Sequence, residues 1–255
     1  MKTNLTLLFL LSQICPLFGQ IRKNTFHAIP EGPNNLLLSV GSYYPVRDAL
    51  DYLNHEYGWR ISYEDPVYPD AELSDIAIPN WKNTHPGERG FYVPKFTEMQ
   101  FRILKPTGSQ GEEKKILTGL VEQLNRSGRP VKFKVLDASG GRQVIVGTLD
   151  GVGALDHAVL RPEPKSRNGS EELHSLTQKC STQMPSPMVV GTVSANMLEH
   201  ITVPPRRSNV SCREALLALT AEEGTDVVYQ MLEDANGKSL VVNIVLNRVA
   251  TESPK

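Results

Sequence analysis

Apolar residues recur at helical spacing in two stretches of this chain that read as copies of one another. In Pro45–Tyr63 (PVRDALDYLNHEYGWRISY), Val46, Ala49, Leu50, Leu53 and Tyr57 form the i, i+3, i+4, i+7 stripe of a helix with one buried face. Pro45 opens that helix at no cost, because its missing N–H would have no helical partner there. Gly58 closes it, and Trp59–Tyr63 alternates as a strand. Ser211–Tyr229 (SCREALLALTAEEGTDVVY) repeats the pattern without a gap. Arg47 aligns with Arg213, Leu50 with Leu216, Leu53 with Leu219, Gly58 with Gly224 and Tyr63 with Tyr229. Ser211 and Glu214 make a Ser-x-x-Glu capping box where the second helix begins.

Between and around the copies the pattern gives further elements. Leu36–Val40, Glu98–Leu104, Val131–Leu136 and Gln143–Leu149 read as strands, the last two as a hairpin. Glu112–Asn125 reads as a helix with Ile116, Leu117, Leu120, Val121 and Leu124 on one face, stopped by Gly128 and Pro130. Met188–Val193 and His200–Val203 read as short strands, and Val227–Leu232 with Ser239–Leu246 as a hairpin turning at Asn236-Gly237.

Two segments break the rhythm. Asp65–Pro94 carries Pro66, Pro69, Pro79, Pro86 and Pro94, which excludes a central strand or a continuous helix. Its aromatic residues, Tyr68, Trp81, Phe91 and Tyr92, argue against plain disorder. The stretch 159–187, with Pro162, Pro164, Pro185 and Pro187, reads as a linker. The expectation is an α+β chain of two modules, at 34–158 and 188–248, the first carrying the long insert at 65–94. In each module the helices would pack on one face of a mixed or antiparallel sheet.

The doubled helix–glycine–strand register resembles the short N-terminal domain of secretins and TonB-dependent receptors. There a helix with an Ala-Leu-x-x-Leu face leads through glycine into a strand within a small αβ module. The resemblance implies a periplasmic module that docks with another protein, here without the barrel of a receptor. It carries over no catalytic residue and no cofactor.

Composition changes the picture at the N-terminus. Lys2, the apolar run Leu5–Leu11, Pro16 and Gly19 make residues 1–19 a secretory signal peptide, the apolar run being too short to span a bilayer. Ile14 before Cys15 excludes a lipoprotein signal, which needs a small residue there. The chain is therefore expected to be exported, periplasmic or extracellular, with no transmembrane segment after cleavage. A formal net charge of −1 offers no field for nucleic acid. Export leaves Cys180 and Cys212, an even pair expected to form a disulfide that closes a loop of about thirty residues and stabilises by roughly 3–4 kcal/mol.

Candidate chemistry is sparse. The sequence has no nucleophile elbow, P-loop, zinc-protease helix or dinucleotide fingerprint, and its six histidines are unpaired at any ligand spacing. No catalytic, cofactor-binding or metal residue is assigned, and no cofactor is expected. Glu64 and Asp65 lie beside Trp59 and Tyr63. They are either an acid pair in an aromatic cleft, as in glycoside hydrolysis, or a strand end with both carboxylates in water. Tyr43, Tyr44, Trp81, Phe91 and Tyr92 are the candidates for binding a partner, since aromatics bury area at interfaces at low entropic cost. Trp59, at the start of a strand, reads as core. The leading expectation is a non-catalytic envelope module whose partner is an envelope protein. The alternative is an exported carbohydrate binder or hydrolase using the Glu64/Asp65 corner, so a glycan partner stays open.

Overall fold

Pro45–Tyr57 forms helix α1, and its chemistry sets the pattern for the rest. In this computed structural model the described residues are 23–76, 81–84, 90–109, 111–138, 141–193, 198–221, 227–235 and 239–246. The expected signal peptide, the second glycine stop Gly224 and the Asn236-Gly237 turn lie outside them. Helix α1 buries Val46, Ala49, Leu50 and Leu53, and Gly58 ends it at φ 66°, a left-handed conformation that costs glycine little. Asn54 then ties the helix to strand β3 (Ile61–Glu64). Its amide donates to the Ile61 carbonyl at 2.9 Å and accepts from the Ile61 N–H at 3.0 Å.

The same device recurs at α3 (Glu112–Asn125). There Asn125 brackets the backbone of Phe133 at 2.8 Å on both sides, fixing the start of β7 (Val131–Ala138). Strand β7 turns into β8 (Arg142–Leu149) as expected. In the second copy, α5 (Cys212–Thr220) starts at a formed capping box between Ser211 and Glu214. It leads to β14 (Val227–Glu233), which pairs with β15 (Leu240–Leu246).

The fold is α+β. Six strands form one mixed sheet in the order β11-β15-β14-β3-β8-β7, where β11 is Met188–Val193. The two repeat strands, β3 and β14, are parallel neighbours at its centre. Residues expected to form two modules therefore share one continuous sheet. Residues 169–181, inside the expected linker, form α4 (Gly169–Ser181), a long helix capped by Asn168 that lies beside α5. The polar run had masked it: Leu173, Leu176 and Cys180 are its buried stripe, and the prolines flank it rather than interrupt it. The expected strand at His200–Val203 shortens to β12 (Thr202–Val203), preceded by a 3-10 turn at Leu198–His200. It pairs with β10 (Arg167–Asn168), and β9 (Val159–Leu160) pairs with β13 (Val210–Ser211).

Two faces of the central sheet carry two cores. Ile61, Tyr63 and Ile145 face α1 and α3, and this core continues into a three-stranded antiparallel sheet. That sheet has the order β1-β2-β6, formed by β1 (Thr25–Pro30), β2 (Asn35–Ser42) and β6 (Thr97–Leu104). Val144, Val146, Tyr229 and Met231 point the other way, against α4 and α5. The helices of each half thus lie on one face, and the halves are turned over relative to each other. A disulfide, Cys180–Cys212, joins α4 to α5 inside the second core, where both cysteines are fully buried. Among the described residues no helix is long and apolar enough to cross a membrane.

The insert is a small structure of its own. Strand β4 (Leu73–Ile76) pairs antiparallel with β5 (Phe91–Pro94), with the four-residue helix α2 (Trp81–Thr84) between them. Its entrance crosses β8 so closely that a Cβ on Gly147 would lie 2.3 Å from Pro66 Cδ. Only glycine leaves room for the chain to turn there.

Candidate functional site at the carboxyl ends of the central strands

Parallel strands leave their carboxyl ends as the place where polar groups gather and ligands are often held. Here each repeat helix precedes its strand, so the N-terminal turns of α1 and α5 come to the carboxyl ends of β3 and β14. This end holds Glu64 and Asp65, both fully buried. The expectation of two solvated carboxylates is incorrect: the sheet continues through β14 and covers them. They do not form a facing acid pair either, because Glu64 belongs to the α5 face and Asp65 bonds with Tyr63 on the α1 face.

Glu64 is held by Arg213, whose Nε and Nη2 each donate at 2.7 Å to one carboxylate oxygen. Tyr229 donates its hydroxyl to Glu64 Oε1 at 2.6 Å. Arg213 also pairs with Asp156 at 2.8 Å, and Lys134 pairs with the other oxygen of Asp156 at 2.8 Å. Burial alone would raise Asp156, but bonds from Lys134, the Gly153 N–H and Arg213 hold its pKa down to about 2. Burial likewise works against the Arg213 charge, and Glu64 outweighs it, pushing the guanidinium pKa up. Tyr229 is pushed well above its usual value by burial and then by the Glu64 charge. The arrangement is a closed, charge-compensated chain across both halves.

Asp65 lies in a different environment. Tyr63 and Tyr68 donate to its Oδ1 at 2.6 and 3.0 Å, and the Glu233 N–H donates to Oδ2 at 3.3 Å. Burial raises its pKa to about 7, with these bonds and the nearby Arg47 opposing the rise. Tyr44 stands close enough to feel the Asp65 charge, which adds to burial in pushing its hydroxyl pKa up.

The aromatic candidates converge here in part. Tyr44 lies under the Arg47 guanidinium, 4.7 Å from ring centroid to carbon. Tyr43 meets Phe96 edge-on, with centroids 5.4 Å apart. Tyr92 packs on the small cluster of Tyr68, Leu73 and Val131. All three tyrosines remain partly exposed. Trp81 opens α2 and Phe91 opens β5, and their side chains lie outside what the structure describes. Trp59 is core, tilted against Tyr57.

Arg213, Asp156 and Tyr68 were missed as members of this centre. The repeat gave a signal for one of them: Arg213 and Tyr229 occupy the places of Arg47 and Tyr63. Among the described residues no group of three or more histidine, cysteine, aspartate or glutamate side chains is placed to hold a metal. No family model, curated protein or solved structure matches the chain significantly.

Proposed function

We propose that this chain is a non-catalytic docking module exported to the cell envelope, and that it engages a protein partner through the aromatic surface at the carboxyl ends of β3 and β14. The observation that carries the reading is the convergence of Tyr43, Tyr44 and Tyr92 at that end, above carboxylates whose oxygens are already bonded inside the protein. Rigid, half-exposed aromatics supply contact area, while the acids beneath them are tied to Arg213 and to three tyrosines. The secretory leader and the Cys180–Cys212 bridge support export. The resemblance of the repeat to the secretin and TonB-receptor short domain points to docking as the mode of action.

The competing reading, a glycan site or hydrolase at Glu64 and Asp65, draws no support from this corner. A glycosidase needs two carboxyl groups flanking one bond. These two lie on opposite faces of the sheet, and Glu64 is fully committed to Arg213 and Tyr229.

The test is capture of envelope proteins by the mature chain beside a Tyr43→Ser/Tyr92→Ser variant. Loss of a partner by the variant, with its denaturation midpoint unchanged, is the expected result. Equal capture by both proteins overturns the assignment of this surface.

A further inference from the structure

The two outer edges of the three-stranded sheet differ. An antiparallel strand turns the N–H and C=O of alternate residues to one neighbour and those of the rest to the other side. At the outer edge of β6, Gln123 of α3 closes the ladder. Its amide accepts from the Arg102 N–H at 2.9 Å and donates to the Arg102 carbonyl at 2.8 Å. Asn125 closes the outer edge of β7 at Phe133 in the same way. Strand β1 has no such plug among the described residues. The Glu31 N–H donates to the Asn35 carbonyl at 3.0 Å, so the register gives Thr25, His27 and Ile29 to the bonds with β2. Phe26 and Ala28 therefore turn their N–H and C=O outward. Pro30, which has no N–H to leave unmet, takes the next outward place.

This open edge lacks the devices that usually keep edges apart. Thr25–Pro30 carries no Lys, Arg, Asp or Glu, its register with β2 runs without a bulge, and its proline stands only at the end. Helix α1 packs beneath β2 and β6, which leaves the inner side of β1 half covered. Phe26 stays partly exposed there, although its ring meets Tyr52 with centroids 5.0 Å apart. On the outer side Ile29 is 47% exposed.

We propose that β1 pairs antiparallel with β1 of a second copy of this chain about a two-fold axis at His27, joining two three-stranded sheets into one of six strands. The segment is complementary to itself about that residue. Phe26 falls opposite Ala28 of the second copy, a large ring beside a small side chain on the inner side, and the two exchange N–H···O bonds across the axis. Thr25 falls opposite Ile29 and covers part of it. Lys23 falls opposite Glu31, which gives two pairs of unlike charge per dimer. An axis one or two residues to either side loses the match of Lys23 with Glu31, and an axis nearer the C-terminus sets Pro30 where a donor is needed. These matches single out a second copy over an unrelated strand. A ladder this short lies at the small end of specific interfaces, below roughly 1,200 Å², so the dimer is weak and reversible. The proposal is independent of the docking surface, which lies on the central sheet.

The experiment places single cysteines in the mature chain, whose own pair is joined and buried. An axis at His27 makes position 27 face itself in a non-hydrogen-bonded pair, with Cα atoms about 4.5 Å apart and within reach of a disulfide. His27→Cys should therefore give a cross-linked dimer under mild oxidation. Thr25→Cys and Ile29→Cys should cross-link with each other when mixed, and not with themselves. Sedimentation equilibrium of the parent, carried to about 1 mM, should show the reversible dimer. Ala28→Pro removes one outward N–H from each copy without touching the bonds between β1 and β2, and should weaken association more than about tenfold. Lys23→Glu should weaken it about fivefold, and Lys23→Glu/Glu31→Lys should restore it. Lys23 is exposed, so the charge swap carries the test even where Ala28→Pro fails to fold. A parent that stays monomeric at about 1 mM overturns the proposal, as does equal self-cross-linking at positions 25, 27 and 29. A dimer unchanged by both Ala28→Pro and Lys23→Glu forms elsewhere on the molecule and overturns it too.

Discussion

The hydroxyl of Tyr229 donates to Glu64 at 2.6 Å, so the last residue of the second repeat is bonded to the residue that follows the first. A reciprocal bond runs the other way, from Gln230 on β14 to Asp51 on α1 at 2.5 Å. In the sheet, Tyr63 stands opposite Gln230, one residue out of step with the repeat alignment that matches it to Tyr229. A slip of one residue turns every side chain to the other face. That slip is why α1 and α5 cover opposite sides of a single sheet, as if related by a half-turn about the strand direction.

The Glu64–Arg213 pair should be the most costly polar contact to break. Removing one partner strands a buried charge, so Arg213→Met is expected to lower unfolding free energy by about 3–5 kcal/mol. Adding Glu64→Gln to that variant should restore much of the loss, since the charge is then gone from both sides. Urea denaturation of both proteins checks this. A double variant no more stable than the single one would mean that the ion pair is not the source of the effect.

Gly147 is expected to be intolerant of any side chain. A Cβ there meets Pro66 Cδ at 2.3 Å and Pro66 N at 2.5 Å, and both atoms are fixed by the ring and backbone. Gly147→Ala should cost about 1–3 kcal/mol, as overpacking does, and should perturb the Asp65 environment by moving Pro66. Thermal denaturation of this variant, with Gly119→Ala as a helical control where nothing lies within 4 Å, gives the comparison.

The disulfide closes a loop with a sequence separation of 32. In the chain-entropy account this stabilises by roughly 3–4 kcal/mol. Cys180→Ala/Cys212→Ala is expected to lose that amount, measured by urea denaturation under oxidising conditions. Under strong reductant in denaturant the parent should refold with the stability of the double variant.

Stability should fall as pH rises toward neutrality in the part governed by Asp65 and Glu113. Their folded pKa values of about 7 stand above their ordinary values of 3.8 and 4.5. The folded state therefore holds protons that the unfolded chain has released, and the stabilisation present below the ordinary values is lost as pH approaches about 7. Asp156 has the opposite sign, its contribution being lost as pH falls from 3.8 toward about 2. Denaturation midpoints across about pH 3 to 8 should show the decline on the alkaline side, and Asp65→Asn should flatten it. A midpoint that rises steadily to pH 8 would contradict the burial of these carboxyls.

Much of the fold was legible because its signals are local. The stripes of α1 and α3, the Gly58 stop and the Ser211 capping box each depend on residues within a few positions of one another. The α4 helix was hidden because flanking prolines and a charged first turn resemble a linker in composition, while its stripe of Leu173, Leu176 and Cys180 is short. The pairing of β3 with β14 is not local at all. Nothing in either copy specifies which strand edge it joins, so the burial of Glu64 and Asp65, which follows from that pairing, could not be read from their neighbours. Of the site, the aromatics at Tyr43, Tyr44 and Tyr92 were visible as residue types, but their common location depends on the insert folding back along the sheet.

The most direct test of the docking account is photo-crosslinking in cells. A photoreactive amino acid replaces Tyr43 or Tyr92, and, as a control, exposed Lys105 at the far end of β6. The account predicts one shared protein adduct from positions 43 and 92 and none from position 105. Adducts of equal yield from all three positions, or from none, would contradict a docking surface at the carboxyl ends of the central strands.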